Sequence, residues 1–231
     1  MKPQRILFVR HGQSESNVDA AARETIRDHE IALTEKGREQ AVAAGKEISE
    51  ILLHLPTVSW IEHGISIEQP RRVRIYSSSF RRARETLEGI EKGIGAITWK
   101  GQDIIEGRRE DPRLREQEWG HLRLRSESDY IDRERNKHGT FYYRIPDGES
   151  GADVYDRCTG VLDTLYRDFE ERMYPHAALI VGHGFAIRIL LMRWLHWSVE
   201  RFEETRNLRN CEILQLQLGQ DGHYHPVEPF L

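Results

Sequence analysis

Two cysteines in 231 residues, Cys158 and Cys211, are too few and too far apart for a disulfide framework, which makes a reducing compartment the natural setting. No apolar run approaches the ~20 residues that a membrane-crossing helix needs. Met1-Lys2-Pro3 passes straight into a short apolar stretch, so no signal peptide is expected either. Charge of one sign is not in excess: 34 Lys plus Arg stand against 38 Asp plus Glu, a formal net charge of −4. That balance gives no general electrostatic reason to bind nucleic acid. Internal repeats and low-complexity tracts are absent. His223 and His225 stand two apart without an evident third ligand, so no metal site is expected, and nothing calls for a cofactor. These absences leave a cytoplasmic chain of a length that suits one α/β domain with insertions, free of membrane and nucleic acid.

What is present is a strand-and-loop grammar written twice. The apolar run Ile6-Leu7-Phe8-Val9 reads as a buried strand and leads directly into Arg10-His11-Gly12-Gln13-Ser14-Glu15-Ser16-Asn17. The run Ala177-Ala178-Leu179-Ile180-Val181 leads in the same way into Gly182-His183-Gly184 and a helical stretch from Phe185 to Leu195. Loops at the C-terminal ends of strands are where open α/β sheets build ligand sites. Arginine offers a planar fork of donors matched to phosphate oxygens. A helix start adds free N–H groups and a favourable dipole for an anion. Imidazole can attack phosphorus and hold the phosphoryl group as a labile intermediate. One such histidine could be a core residue; two at strand ends, one facing a helix N-terminus, are hard to attribute to packing.

Between these loops, strands and helices alternate as a largely parallel sheet requires. Ala41, Ala44, Ile48, Leu52 and Leu55 recur at helical spacing, and Pro56 ends that helix. Val73-Arg74-Ile75-Tyr76 reads as a strand followed by a helix from Arg82 to about Ile90. A further helix runs from about Ala152 to Tyr174, with Val154, Cys158, Val161, Leu165 and Phe169 inward. Leu214, Leu216 and Leu218 alternate with Gln215 and Gln217, the mark of a strand with one wetter face. Trp60–Arg72 and residues about 103–150 read as excursions. The second has a charge-rich centre, Arg123–His138, expected to form a helix or two across the pocket mouth or a solvated surface helix. Phe141-Tyr142-Tyr143-Arg144 is either a pocket wall or core. The basic pairs Arg71-Arg72 and Arg108-Arg109 are placed on loops, and Trp194, His196 and Trp197 are taken as packing residues.

Five segments in order resemble the histidine phosphatase superfamily, which includes cofactor-dependent phosphoglycerate mutases. They are the Arg10-His11-Gly12 loop with Asn17, Leu33-Thr34-Glu35-Lys36-Gly37-Arg38-Glu39-Gln40-Ala41, Ser78-Ser79-Phe80-Arg81-Arg82-Ala83-Arg84-Glu85-Thr86, Leu114-Arg115-Glu116-Gln117-Glu118-Trp119-Gly120, and the Gly182-His183-Gly184 loop. The resemblance implies a three-layer α/β/α fold with a mostly parallel central sheet and an inserted helical cap that contributes to substrate selection. It implies His11 as nucleophile, with Arg10, Arg82 and His183 around the transferred phosphoryl group. Arg82 directly precedes alanine as the family's arginine does, while Arg81 and Arg84 fall on the exposed face. Gln13, Ser14, Asn17 and Gly184 are taken as substrate contacts. Glu116 is the expected acid and base, with Glu118 its competitor. Their tasks require His11 neutral and His183 charged, so the two pKa values should be set apart, and Glu116 protonated when substrate arrives. Pro146-Asp147-Gly148-Glu149-Ser150 also has a counterpart. Glu149 there is either a hydrogen-bond acceptor orienting a site arginine or histidine, or part of a helix start.

Gln13 in place of Glu, and Gln117-Glu118-Trp119-Gly120-His121-Leu122, depart from the mutase pattern, while Arg115-Glu116-Gln117-Glu118-Trp119-Gly120, Phe141-Tyr142-Tyr143-Arg144 and Gly148-Glu149-Ser150-Gly151-Ala152-Asp153-Val154-Tyr155-Asp156-Arg157 resemble the branch with fungal broad-range acid phosphatases. The expectation is therefore a metal-independent phosphomonoesterase acting on a small phosphorylated metabolite through phosphohistidine. A phosphoglycerate mutase is the alternative, and a catalytically idle binder of phosphorylated ligands the third reading. Assembly into a homodimer is left open.

Overall fold

The structure, a computed structural model, describes residues 2–69, 71–120 and 125–228. Its elements are β1 (Arg5–Arg10), α1 (Glu15–Val18), α2 (Ala22–Thr25), α3 (Glu35–Leu53), β2 (Ser59–Glu62), β3 (Ile65–Glu68), β4 (Val73–Ser77), α4 (Arg81–Ile94), β5 (Thr98–Trp99), β6 (Gln102–Asp103), β7 (Ile105–Glu110), α5 (Arg125–His138), α6 (Gly151–Phe169), β8 (Ala177–Gly182), α7 (Gly184–Trp194), α8 (Val199–Glu204), β9 (Ile213–Leu218) and β10 (Tyr224–Pro226).

The main sheet runs in the order β10-β9-β1-β8-β4-β7. β1, β8, β4 and β7 are mutually parallel, and β9 and β10 add an antiparallel edge. Successive strand residues face opposite sides of a sheet, so strands apolar throughout demand a layer on each face. Here Leu7, Val9, Ile75 and Leu179 pack with Ala44, Ile48 and Ile90 of α3 and α4. Ile6, Phe8, Tyr76 and Ile180 pack with Val154 and Leu165 of α6 and Leu190 of α7. That is the expected three-layer arrangement. α3 and α4 touch backbone to backbone: a Cβ on Gly45 would lie 2.2 Å from the Ile90 carbonyl oxygen. This close crossing brings the start of α4 to the loop after β1, where the Gly12 N–H donates to Thr86 Oγ1 at 3.0 Å.

Several expectations shift. Arg108 and Arg109 lie on the edge strand β7, where they pair with Glu91 and Asp168, and not on a loop. The sheet thus takes Ile105–Glu110, and the larger excursion begins after it. Trp60–Arg72 contains the hairpin β2–β3. Its turn residues His63 and Gly64 both have positive φ, 49° and 76°, as a type I′ hairpin turn requires. α6 ends at Phe169, five residues before Tyr174. His196 is exposed and in the left-handed region (φ 53°) after α7, where the Trp197 N–H closes back onto the Met192 carbonyl. It ends a helix and does not pack, whereas Trp194 is core. Phe141 belongs to the core and Tyr142 is exposed. The segment placed across the pocket mouth contains α5; its residues 123–124 lie outside the described residues. Cys158 and Cys211 are both free thiols. Among the described residues no helix is long and apolar enough to cross a membrane.

Candidate active site

Parallel strands present their C-terminal ends on one edge, so the residues after β1, β4 and β8 meet there. The His11 N–H donates to the Gly182 carbonyl (2.8 Å) and the Ser78 N–H to the Val181 carbonyl (2.9 Å), so three loops leave the sheet in register. The rings of His11 and His183 then stand 5.2 Å apart, edge to face. Both histidines are buried.

His11 Nδ1 lies 2.7 Å from the Gly12 carbonyl oxygen. A carbonyl only accepts, so Nδ1 carries the hydrogen and Nε2 keeps its lone pair. Burial, then the charges of Arg82 and Arg10, holds the ring well below its ordinary pKa. His11 is therefore a neutral imidazole with a free basic nitrogen. His183 Nε2 is 2.8 Å from Ser78 Oγ, and its ring packs edge-on against Phe80 at 5.1 Å. Burial, Arg82 and His11 push its pKa well down too. The expectation that the two values are set apart does not hold for protein groups alone: burial beside guanidinium groups drives both rings neutral. An anion bound beside it would favour the charged form of His183.

Arg82, in the first turn of α4, is buried and lies 5.0 Å over the Phe80 ring. Its Nη1 donates to the Asp28 backbone oxygen (2.6 Å) and Oδ1 (3.1 Å), and Nη2 to Asp28 Oδ2 (3.2 Å). Arg10 donates through Nη1 to the Leu208 carbonyl (2.8 Å). A Cβ on Gly184 would lie 3.3 Å from Arg10 Nε, so the glycine lets the start of α7 sit against this guanidinium. Glu116 faces the same helix start: its Oε1 accepts from Ala186 N (3.1 Å) and its Oε2 from Phe185 N (3.3 Å). Arg82 and Glu116 border a cavity of about 620 Å³, whose other walls include Arg23, Asp28, Trp119 and Asp147; His11, His183 and Arg10 are not among the residues that line it. Glu118 is exposed at its rim.

The other expected contacts shape loops. Ser14 is fully buried and forms a capping box with Asn17 at the start of α1. Asn17 Oδ1 accepts from Ser14 N and from Asn210 Nδ2, both at 3.1 Å. Gln13 turns to the start of α3, its Oε1 accepting from Thr34 Oγ1 at 3.0 Å. Arg81 and Arg84 are exposed, as their register implied. Ser78 and Phe80 stood inside a quoted motif without an assigned role. Trp119 likewise stood in the Glu116 segment with no role given to it; Asp28 and Arg23 carried no signal, because contacts such as Asp28–Arg82 join distant residues that no local pattern links.

Comparison with known proteins agrees with this geometry. The model of the histidine phosphatase superfamily (branch 1) matches residues 6–62 and 64–225. The chain belongs to that superfamily. This histidine phosphatase is 36% identical over 230 residues to a phosphoglycerate mutase-like protein of Arabidopsis thaliana, spanning 97% of this chain and 77% of that one. It is 28% identical over 291 residues to the broad-range acid phosphatase of Saccharomyces cerevisiae, spanning 95% of this chain and 86% of that one. A solved mycobacterial glucosyl-3-phosphoglycerate phosphatase, in complex with VO3, superposes with a TM-score of 0.67 at 23% identity, covering 96% of both chains. At that identity it speaks for the fold.

Proposed function

We propose that this superfamily member is a metal-independent phosphomonoesterase that acts on small phosphorylated metabolites through a phosphohistidine on His11. The observation that carries the reading is the neutral His11 ring, its Nε2 free, 5.2 Å from His183 and under the charges of Arg82 and Arg10. Transfer of a phosphoryl group needs positive charge around the equatorial oxygens and attacking and leaving atoms in line. Arg10 and Arg82 supply that charge from the protein itself. The arriving dianion favours protonation of His183, which then adds a third positive group.

In the first step His11 Nε2 forms a bond to phosphorus while the ester P–O bond breaks, and protonated Glu116 gives its proton to the leaving oxygen. In the second, the Glu116 carboxylate takes a proton from water, the water oxygen bonds to phosphorus, and the N–P bond breaks to release inorganic phosphate. Gln13, the segment following Glu116 and the similarity to a broad-range acid phosphatase support water as acceptor. The similarity to phosphoglycerate mutase-like proteins favours a second reading, return of the group to a sugar acid.

A panel of phosphorylated metabolites, assayed with chelator present, separates the readings. Phosphate release supports the phosphatase; interconversion of phosphoglycerates that depends on a bisphosphate primer supports the mutase. Acid quenching during turnover should not preserve the label, whereas alkaline quenching should trap a phosphoprotein that His11→Ala abolishes. A label persisting in that variant overturns the nucleophile.

A further inference from the structure

Glu116 sits on a stretch with little structure of its own. A single 3-10 turn, Pro112–Leu114, precedes it, and residues 115–119 follow without helix or strand. Such a segment cannot hold a carboxyl group in place unless something outside it does so. Two side chains do. Arg157, on α6, donates from Nη1 to the Arg113 carbonyl (2.6 Å) and from Nη2 to the Glu116 carbonyl (3.2 Å). Glu149 receives Arg157 Nε on Oε1 (2.9 Å) and Arg157 Nη2 on Oε2 (3.0 Å). The same carboxylate accepts from Arg115 Nη2 (2.6 Å) and the Glu118 N–H (3.0 Å). The Glu149 backbone completes the grip, its oxygen accepting from Gln117 Nε2 (2.8 Å) and its N–H donating to the Glu118 carbonyl (2.9 Å). Arg115, Glu116 and Glu118 are thus tied to one ion pair, whose side chains are only 10% and 13% exposed, and Gln117 to the backbone of its glutamate. Neither Glu149 nor Arg157 borders the cavity. The N-terminus of α7 fixes the carboxyl group itself, so the backbone is clamped from α6 and the side chain from α7.

We propose that Glu149 and Arg157 are positioning residues for the general acid: they hold the backbone on both sides of Glu116 so that its carboxyl group reaches the leaving oxygen. The proposal rests on the acid role given to Glu116 above. Its chemistry marks it out from mere structural support. A poor leaving group, such as an alkyl alcohol, needs the proton; a good one, such as nitrophenol, departs without it. A misplaced acid therefore penalises alkyl esters selectively, and a displacement near 1 Å costs about 100-fold.

The test measures kcat/KM of the full chain for phosphate monoesters ranging from nitrophenyl to simple alkyl esters. Wild type, Glu116→Gln, Glu149→Gln and Arg157→Lys are compared, each checked for native melting. Glu149→Gln should lose about 10- to 100-fold on alkyl esters and under about threefold on nitrophenyl phosphate. Arg157→Lys, which keeps the charge but not the fork, should show a smaller loss of the same shape. In the Glu116→Gln background, Glu149→Gln should add nothing. Equal losses on both ester classes, or full additivity with Glu116→Gln, overturn the proposal. Should Glu149→Gln not fold, Arg157→Lys and its double variant decide the matter alone. If Glu116→Gln itself shows no leaving-group dependence, the acid assignment fails first, and the positioning role with it.

Discussion

β8 carries a buried histidine just beyond each end, His176 before it and His183 after it, and both are fully enclosed. Burial neutralises both. His176 is pushed down to about 4 by burial and by the neighbouring charge of Arg71, and His183 well below its usual value by burial, Arg82 and His11. The two ends differ in what else arrives. Around His176 the chain supplies Gln69, whose amide donates to the Tyr174 and Pro175 carbonyls, and the pair Arg71 and Glu68. Around His183 it supplies the loops after β1 and β4, the first turn of α4 and the start of α7. Helices that cross between parallel strands begin where strands end, so free N–H groups and positive helix ends gather on that edge only. Desolvation alone leaves an isolated imidazole at the His176 end; at the His183 end the same desolvation comes with converging guanidinium groups and helix starts, the features on which the proposed phosphoryl site rests.

The sharpest way to break this contrast is to change each histidine in turn. His183→Gln should lower kcat by about a thousandfold or more, close to 4 kcal/mol of barrier, while His176→Gln should leave kcat unchanged. Equal effects in a steady-state assay would show that position along β8 does not matter. Next comes the guanidinium pair. Arg82→Met should cost about 10²- to 10³-fold in kcat, whereas Arg71→Met at the opposite end should cost nothing measurable. The smallest effect concerns stability. The folded pKa of His176, about 4, lies below the unfolded value near 6.5, so the unfolded chain takes the proton first as pH falls. Its stabilising contribution is intact above pH 6.5 and is lost progressively toward pH 4, amounting to at most about 3 kcal/mol. Urea melts between pH 7 and 4 should show His176→Gln with a flatter decline than the native chain; an unchanged slope would refute the assignment.

Much of this was legible residue by residue. The run Ile6–Val9 is apolar at every position, which only a strand covered on both faces tolerates, and it occupies the centre of the sheet. The resemblance of Arg82-Ala83 to the family's arginine-alanine pair singled out the inward arginine of α4, and Arg81 and Arg84 are exposed. The alternating leucines of β9 were equally plain. Arg108 and Arg109 were misplaced because an edge strand with a solvated face tolerates charge, and so looks like a loop. His196 was misplaced because its left-handed turn depends on how α7 ends, not on its neighbours in sequence. Glu149 stood between two readings; it lies before the Ser150 cap of α6 and binds Arg115, Arg157 and the Glu118 amide.

By itself, the sequence determined the layers, the two strand-end histidines, the inward arginine and the loop that bears Glu116. Periodicity and short motifs encode these, because each depends on residues within one or two turns of each other. Only the tertiary structure decided that both imidazoles are neutral, that Asp28 holds Arg82, and that Glu149 with Arg157 grips the Glu116 segment. Those outcomes depend on desolvation and on charges brought together from elements far apart in the chain, and neither is visible until the sheet has closed.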